Sequence, residues 1–65
     1  METMLTVRQV GRALALDAKR VRALIRTGQL VASNVGTARK PLYRVEAEQL
    51  RAFIEATRVV GIEEG

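Results

Sequence analysis

The 65-residue sequence contains no cysteine and no histidine. Disulfides and the usual zinc sites, which reinforce many small domains, are therefore excluded, and the fold must rely on packed aliphatic side chains. The same absence removes the side chains most often used as nucleophile and base. No nucleophile elbow, phosphate loop or metal-ligand spacing occurs either. The sequence thus predicts a protein that is not an enzyme and that needs no metal or cofactor.

Long apolar runs and aromatic residues are also scarce. No stretch approaches the roughly 20 apolar residues that span a bilayer, and the start METMLTVRQV lacks the basic-then-apolar order of a signal peptide. We therefore expect a soluble, cytoplasmic protein without a membrane partner. The two aromatic residues are too few for a surface that stacks single-stranded bases. One of them, Tyr43, is predicted to pack in the core or against a hairpin.

Acidic residues are scarce in one part of the chain only. Residues 8–44 contain nine basic residues and a single acid, Asp17, whereas residues 45–65 contain two arginines and five glutamates. A strongly cationic segment favours a polyanionic partner, and nucleic acid is a better candidate than an anionic membrane.

A first helix is predicted to begin at Thr6, because Thr6 and Gln9 have the spacing of a capping box. Three aliphatic residues follow at helical intervals and form its core face: Val7, Val10 and Leu14. Gly11 lies on the same face, where the missing side chain would allow another helix to approach closely.

A second helix is predicted in DAKRVRALIRTGQL, residues 17–30, with Asp17 as its N-cap and Gly28 just past its end. The four-residue link LALD, residues 14–17, forces the two helices to cross steeply, as in a helix-turn-helix. The aliphatic face of the second helix consists of Val21, Leu24 and Ile25. Its opposite side and flanks are predicted to contact DNA in the major groove through Lys19, Arg20, Arg22, Ala23 and Arg26. The alternative is a solvated basic surface.

A β-hairpin is predicted next, with LVASNV and LYRV as strands around the loop GTARKP, and Pro41 at the loop margin. Arg39 and Lys40 at its tip are predicted to contact a minor groove or backbone phosphates. The alternative is a charged turn that protects a sheet edge from aggregation. Asn34 and Thr37 could donate hydrogen bonds to phosphates or could be turn residues.

A third helix is predicted from Glu46 to Thr57, with early glutamates that suit the positive end of the helix dipole. Its core face would consist of Ala47, Leu50, Phe53 and Ile54. The tail 58–65 is expected to fray, and its apolar residues Val59, Val60 and Ile62 would either cap the core or dock another protein. The predicted fold is mainly α with a small β-hairpin, a winged helix-turn-helix domain over residues 1–57.

Residues 5–56 resemble the excisionase-type winged helix-turn-helix, which is related to the DNA-binding domain of MerR-like regulators. The matching segments are LTV at the first helix, RVRALIRTGQL at the second, VG and YRV at the two ends of the wing, and LRAFIE near the end. The chain departs from the family pattern in two places. Ala15 stands at the inter-helix turn where the family usually has glycine, and the wing GTARKPL is longer.

The resemblance implies a recombination directionality factor of a phage or plasmid in a bacterial host. Such a protein binds adjacent sites beside an attachment site, bends the DNA and directs an integrase toward excision. Lys19, Arg20, Arg22 and Arg26 would lie on the groove-facing helix, and Arg39 and Lys40 on the wing. The alternatives are a small transcriptional regulator and a basic protein-interaction module.

Self-association is expected on DNA but not in free solution, where the protein should be largely monomeric. The charge division favours a head-to-tail contact between copies, because an acidic third helix could approach the basic wing of a neighbour. The acidic residues are Glu46, Glu48, Glu55, Glu63 and Glu64.

Overall fold

A computed structural model of the chain describes residues 3–59, in which three helices and a three-stranded antiparallel sheet form a mixed α/β fold. The three predicted helices and the predicted hairpin are confirmed, and a further short strand precedes the first helix. The elements in chain order are β1 Met4–Thr6, α1 Val7–Leu14, α2 Ala18–Arg26, β2 Ser33–Asn34, β3 Tyr43–Glu46 and α3 Ala47–Ala56.

The sheet has the strand order β1-β3-β2, so β3 pairs with both other strands. Strand β1 places Thr6 opposite Arg44, and β2 places Asn34 opposite Tyr43. The pairing of β1 with β3 joins the start of α1 to the base of the hairpin. Strand β2 is shorter than the sequence predicts. Pro41 lies outside both hairpin strands, as expected.

The capping box of α1 forms as predicted, because the Thr6 hydroxyl oxygen accepts from Gln9 N at 3.0 Å and Gln9 Oε1 accepts from Thr6 N at 2.9 Å. At the other end, Ala15 has φ 60° and ψ 42°, and Leu16 N donates to Gly11 O at 2.8 Å. A Cβ atom on Gly11 would lie 2.5 Å from Leu16 O. Gly11 is therefore required by the tight turn that leads into α2.

The predicted caps of α2 are also confirmed. Asp17 Oδ1 accepts from Arg20 N at 2.9 Å at the start of the helix. At its end, Gly28 has φ 83°, and Gln29 N donates to Leu24 O at 2.9 Å, as in a Schellman motif. These local contacts set the length of α2.

The core is small and takes one buried side chain from each of five segments: α1, α2, the chain after α2, β3 and α3. These side chains are Val10, Val21, Leu30, Val45 and Leu50. The aliphatic faces predicted for α1 and α2 pack against this cluster, which confirms that α2 turns its basic side outward.

The prediction that Ile54 belongs to the core is wrong, because its side chain is 44% exposed. Helix α3 packs on β3, and in its second half only Phe53 is partly buried. None of the helices within residues 3–59 is long and apolar enough to cross a membrane. The predictions for Val60, Ile62, Glu63 and Glu64, and the expected fraying of residues 60–65, lie outside the described residues.

Candidate nucleic-acid interface

The side chain of Asn34 organises the loop between β2 and β3. Its Oδ1 accepts from Gly36 N at 2.9 Å and from Leu42 N at 3.0 Å, and its Nδ2 donates to Thr37 O at 3.3 Å. The two amides that it accepts from lie on opposite sides of the loop. Asn34 is therefore a turn residue, one of the two roles that the sequence left open for it.

Thr37 and Lys40 close the tip of the same loop. Thr37 N donates to Lys40 O at 3.1 Å, and the Thr37 hydroxyl oxygen accepts from Lys40 N at 2.9 Å. A Cβ on Gly36 would lie 2.5 Å from Lys40 O, so the loop is tightly folded. Within residues 3–59 the Thr37 hydroxyl proton has no acceptor, and its contact with a phosphate stays a prediction.

The loop lies beside α2, and a cleft of about 680 Å³ separates them. Arg22 and Arg26 contribute to this cleft from α2, and Arg39 and Lys40 contribute from the loop. We call it the helix–wing cleft. The structure thus brings together four of the basic residues that the sequence predicted separately for the helix and the wing.

The remaining predicted residues of α2 lie on its exposed surface. Lys19, Arg20 and Ala23 are solvent-exposed, and they line neither the helix–wing cleft nor the second cleft described next. Val21, between them in sequence, is fully buried, so the orientation of α2 is fixed by the core.

A second cleft, of about 450 Å³, contains three arginines from three elements: Arg8 of α1, Arg22 of α2 and Arg44 of β3. We call it the arginine cleft. Arg44 Nη1 donates to Tyr43 O at 3.1 Å, which holds the guanidinium against the strand. Arg8 and Arg44 are not among the residues predicted from the sequence. Only the pairing of β1 with β3 brings them together, and no local sequence signal predicted that pairing.

The basic residues of both clefts have no carboxylate within 4.0 Å among residues 3–59. The single ion pair in that range joins Arg58 Nη1 to Glu55 Oε2 at 3.1 Å, next to the end of α3. The same range holds no group of three or more potential metal-ligating side chains. The chemistry that the two clefts offer is therefore the binding of an anion by guanidinium and ammonium groups.

Comparison with known proteins gives no family assignment for this chain. No protein-family model matches the sequence, and no curated protein or solved structure matches it significantly. The function is therefore inferred from the residues that the fold places in the two clefts.

Proposed function

We propose that the protein binds duplex DNA as a winged helix-turn-helix, with α2 in the major groove and the β2–β3 hairpin as the wing. The observation that carries this proposal is that Arg22 and Arg26 of α2 line one cleft with Arg39 and Lys40 of the hairpin. Cations converge there from two elements, and no carboxylate of residues 3–59 lies within 4.0 Å of them. Such convergence suits a ligand with regularly repeated negative charges.

The two elements have different roles in this proposal. Lys19, Ala23 and Arg26 lie opposite the aliphatic face of α2, with Arg22 at its flank, and an arginine there can make bidentate contacts to guanine O6 and N7. Arg20 at the flank of the helix contacts a phosphate. Arg39 and Lys40 contact the backbone or the minor groove and position the helix without selecting a sequence.

The proposal is tested with the triple variant Lys19→Ala/Arg22→Ala/Arg26→Ala. Removing a side chain that contacts a base edge should cost about 1–3 kcal/mol of binding free energy and reduce the discrimination between sites. Arg51→Ala is the matched control, because Arg51 is an exposed arginine of α3 that lines neither cleft. Equal affinity and an equal footprint for the triple variant and the wild type would remove the DNA-reading role of α2.

The wing is tested with Arg39→Ala/Lys40→Ala. Affinity should fall by a similar factor on all sequences, and the slope of log K against log salt concentration should decrease by about 0.9 for each phosphate that the variant no longer neutralises. Selective weakening at one base position, with an unchanged slope, would assign these residues to sequence recognition instead.

We further propose an excisionase-type architectural role, which the resemblance implies. A single domain of this size covers about one turn of DNA, whereas bending a 20–30 bp site by 40–90° costs of order 1–6 kcal/mol, so several adjacent copies are expected. Glu48 and Glu55 on α3 are exposed, and a basic wing of a neighbour could contact them head to tail, although Glu55 already pairs with Arg58.

Titration onto DNA carrying one, two or three sites, followed by gel shift and circular-permutation bending, tests this role. Cooperative binding with a bend supports a recombination directionality factor that acts with a phage integrase. Independent binding without a bend makes a small repressor the better assignment. Binding to an acidic protein that random duplex DNA fails to displace would indicate a protein-interaction module.

A further inference from the structure

We infer that the arginine cleft is a second, separate site for the DNA backbone, in which Arg8 and Arg44 bind a phosphodiester that the helix–wing cleft does not contact. This inference rests on the proposed DNA binding and extends it to α1 and β3. Its chemical basis is the guanidinium group, whose planar donors match the oxygens of a phosphate and can bind two of them at once.

Three features of the fold bring these arginines together. Strand β1 pairs with β3, which places Thr6, the N-cap of α1, opposite Arg44. Arg8 follows in the first turn of α1, and Arg22 enters from α2, which the tight inter-helix turn holds against α1. The Arg44 guanidinium keeps donor groups available, because its one hydrogen bond within residues 3–59 is from Nη1 to Tyr43 O.

The position of Arg8 is unfavourable for the protein alone. It lies in the first turn of α1, at the positive end of the helix dipole, and that turn contains no acidic residue. The capping box already uses the Thr6 and Gln9 side chains at this helix end, so neither of them offsets the charge. A bound phosphate would neutralise both the guanidinium and the helix end, which explains a cation at this place.

The two clefts adjoin each other, since Pro41, Leu42 and Tyr43 line both of them together with Arg22. Leu42 is 49% exposed, although its backbone N–H is held by Asn34. A duplex backbone alternates apolar sugars with anionic phosphates. Apolar side chains shared by two adjoining cationic clefts complement that alternation, so different phosphates are expected in the two clefts.

The test combines a backbone scan with two single variants, Arg8→Ala and Arg44→Ala. Wild-type affinity is measured on duplexes that carry one neutral methylphosphonate at each successive backbone position. We expect two sets of backbone positions at which a methylphosphonate weakens wild-type binding. In Arg8→Ala and Arg44→Ala, methylphosphonates at the first set should no longer weaken binding. In Arg39→Ala/Lys40→Ala, the same should hold for the second set. The salt slope of each single variant should decrease by about 0.9 for each phosphate that it no longer neutralises, with unchanged discrimination between sites.

Arg12→Ala is the control, because Arg12 is an exposed arginine one turn further along α1 that lines neither cleft. It should retain the full wild-type scan and slope. The melting temperature of Arg8→Ala should equal or exceed that of the wild type, because alanine removes a cation from the wrong end of the dipole and favours the helix. If Arg8→Ala binds DNA more weakly than the wild type but is no less stable, Arg8 contacts the DNA. Loss of an arginine with a purely structural role would lower the stability as well.

Each outcome decides between the two sites. If Arg8→Ala and Arg44→Ala keep the wild-type scan and slope while the Lys19/Arg22/Arg26 variant loses binding, the arginine cleft is not a DNA site and the proposed function stands. If the wild type binds no duplex, both proposals fail. If Arg44→Ala does not fold, Arg8→Ala alone decides, since its side chain is exposed.

Discussion

Helices α2 and α3 are similar in length but opposite in the placement of charge. The second residue of α2 is Lys19, followed by Arg20, whereas the second residue of α3 is Glu48, preceded by Glu46 at the cap position. Carboxylates near a helix start and cations near its end are the stabilising arrangement. Helix α3 follows that arrangement at its start, but its last turn contains Glu55 and no cation, and Glu55 pairs with Arg58 just beyond the helix. Helix α2 follows it with Asp17 at the N-cap and Arg26 in the last turn, and it departs from it with Lys19 and Arg20 in the first turn.

The difference separates residues that stabilise the fold from residues that the fold presents. Both helices bury aliphatic side chains in the same core, so packing does not require the charges of α2. We expect Lys19 and Arg20 to lower the stability of the free protein slightly, because they lie at the positive end of the helix dipole, whereas Arg22 and Arg26 line the cleft beside the wing. The exposed side of α3 carries no comparable accumulation of one sign. We therefore assign ligand binding to α2 and a supporting role to α3.

The largest expected effect comes from disturbing the turn that positions α2. The Cβ of Gly11→Ala would lie 2.5 Å from the carbonyl oxygen of Leu16, a backbone atom, so the turn must shift. We expect the free energy of unfolding, measured by urea denaturation, to fall by about 1–3 kcal/mol, together with weaker DNA binding.

Gly28→Ala is the control for that variant. Among the described residues, no atom outside Gly28 and its two chain neighbours lies within 4 Å of the position of its Cβ, so the positive φ of 83° is what opposes the substitution. It should cost roughly 1 kcal/mol. Equal stability of Gly11→Ala and the wild type would show that the position of α2 does not depend on this close approach.

A smaller effect of opposite sign is expected at Ala15. Its φ of 60° is left-handed, and it occupies the same place at the end of α1 that Gly28 occupies at the end of α2. Ala15→Gly should raise the free energy of unfolding by roughly 1 kcal/mol, because glycine adopts this conformation without steric cost. By contrast, α3 ends at Thr57 with a negative φ, and Thr57→Gly should bring no such gain. A destabilised Ala15→Gly variant would contradict the prediction.

Much of this turn and of α2 could be predicted from the sequence because its signals are local. The Thr6–Gln9 capping box, the Asp17 cap and Gly28 each act within a few residues, and each forms as predicted. The missed features depend on distant partners. Strand β1 has three residues and pairs with a strand about 40 residues later, so the arginine cleft of Arg8 and Arg44 had no local signature.

Ile54 illustrates the same limit for the core. Its helical spacing from Leu50 is correct, but spacing cannot show that the core covers Leu50 and leaves Ile54 exposed. For the loop, the sequence indicated that Asn34 and Thr37 could serve as turn residues. Only the fold shows that one carboxamide accepts hydrogen bonds from both sides of the loop.

The smallest expected effect comes from charge reversals at matched positions of α2 and α3. Lys19 and Glu48 are both exposed and are both the second residue of their helix. Lys19→Glu should stabilise the protein by about 0.3–1 kcal/mol at low ionic strength, and Glu48→Lys should destabilise it by a similar amount, because the helix dipole favours an anion at both places. The neighbouring arginines act in the same direction as the dipole. The carboxylate of Lys19→Glu would attract Arg22, three residues further on, and the ammonium of Glu48→Lys would repel Arg51, also three residues further on.

DNA affinity should not follow stability in this pair. Lys19→Glu is expected to bind DNA more weakly although it is the more stable variant, whereas Glu48→Lys should keep at least the wild-type affinity. Urea denaturation at low and high salt gives the stability differences, which salt should reduce, and fluorescence anisotropy on duplex DNA gives the affinities. If Lys19→Glu were less stable than the wild type, the unfavourable charge placement in α2 would be refuted. If Glu48→Lys bound DNA as weakly as Lys19→Glu, binding would not distinguish the two helices, and the assignment of the DNA surface to α2 would fail.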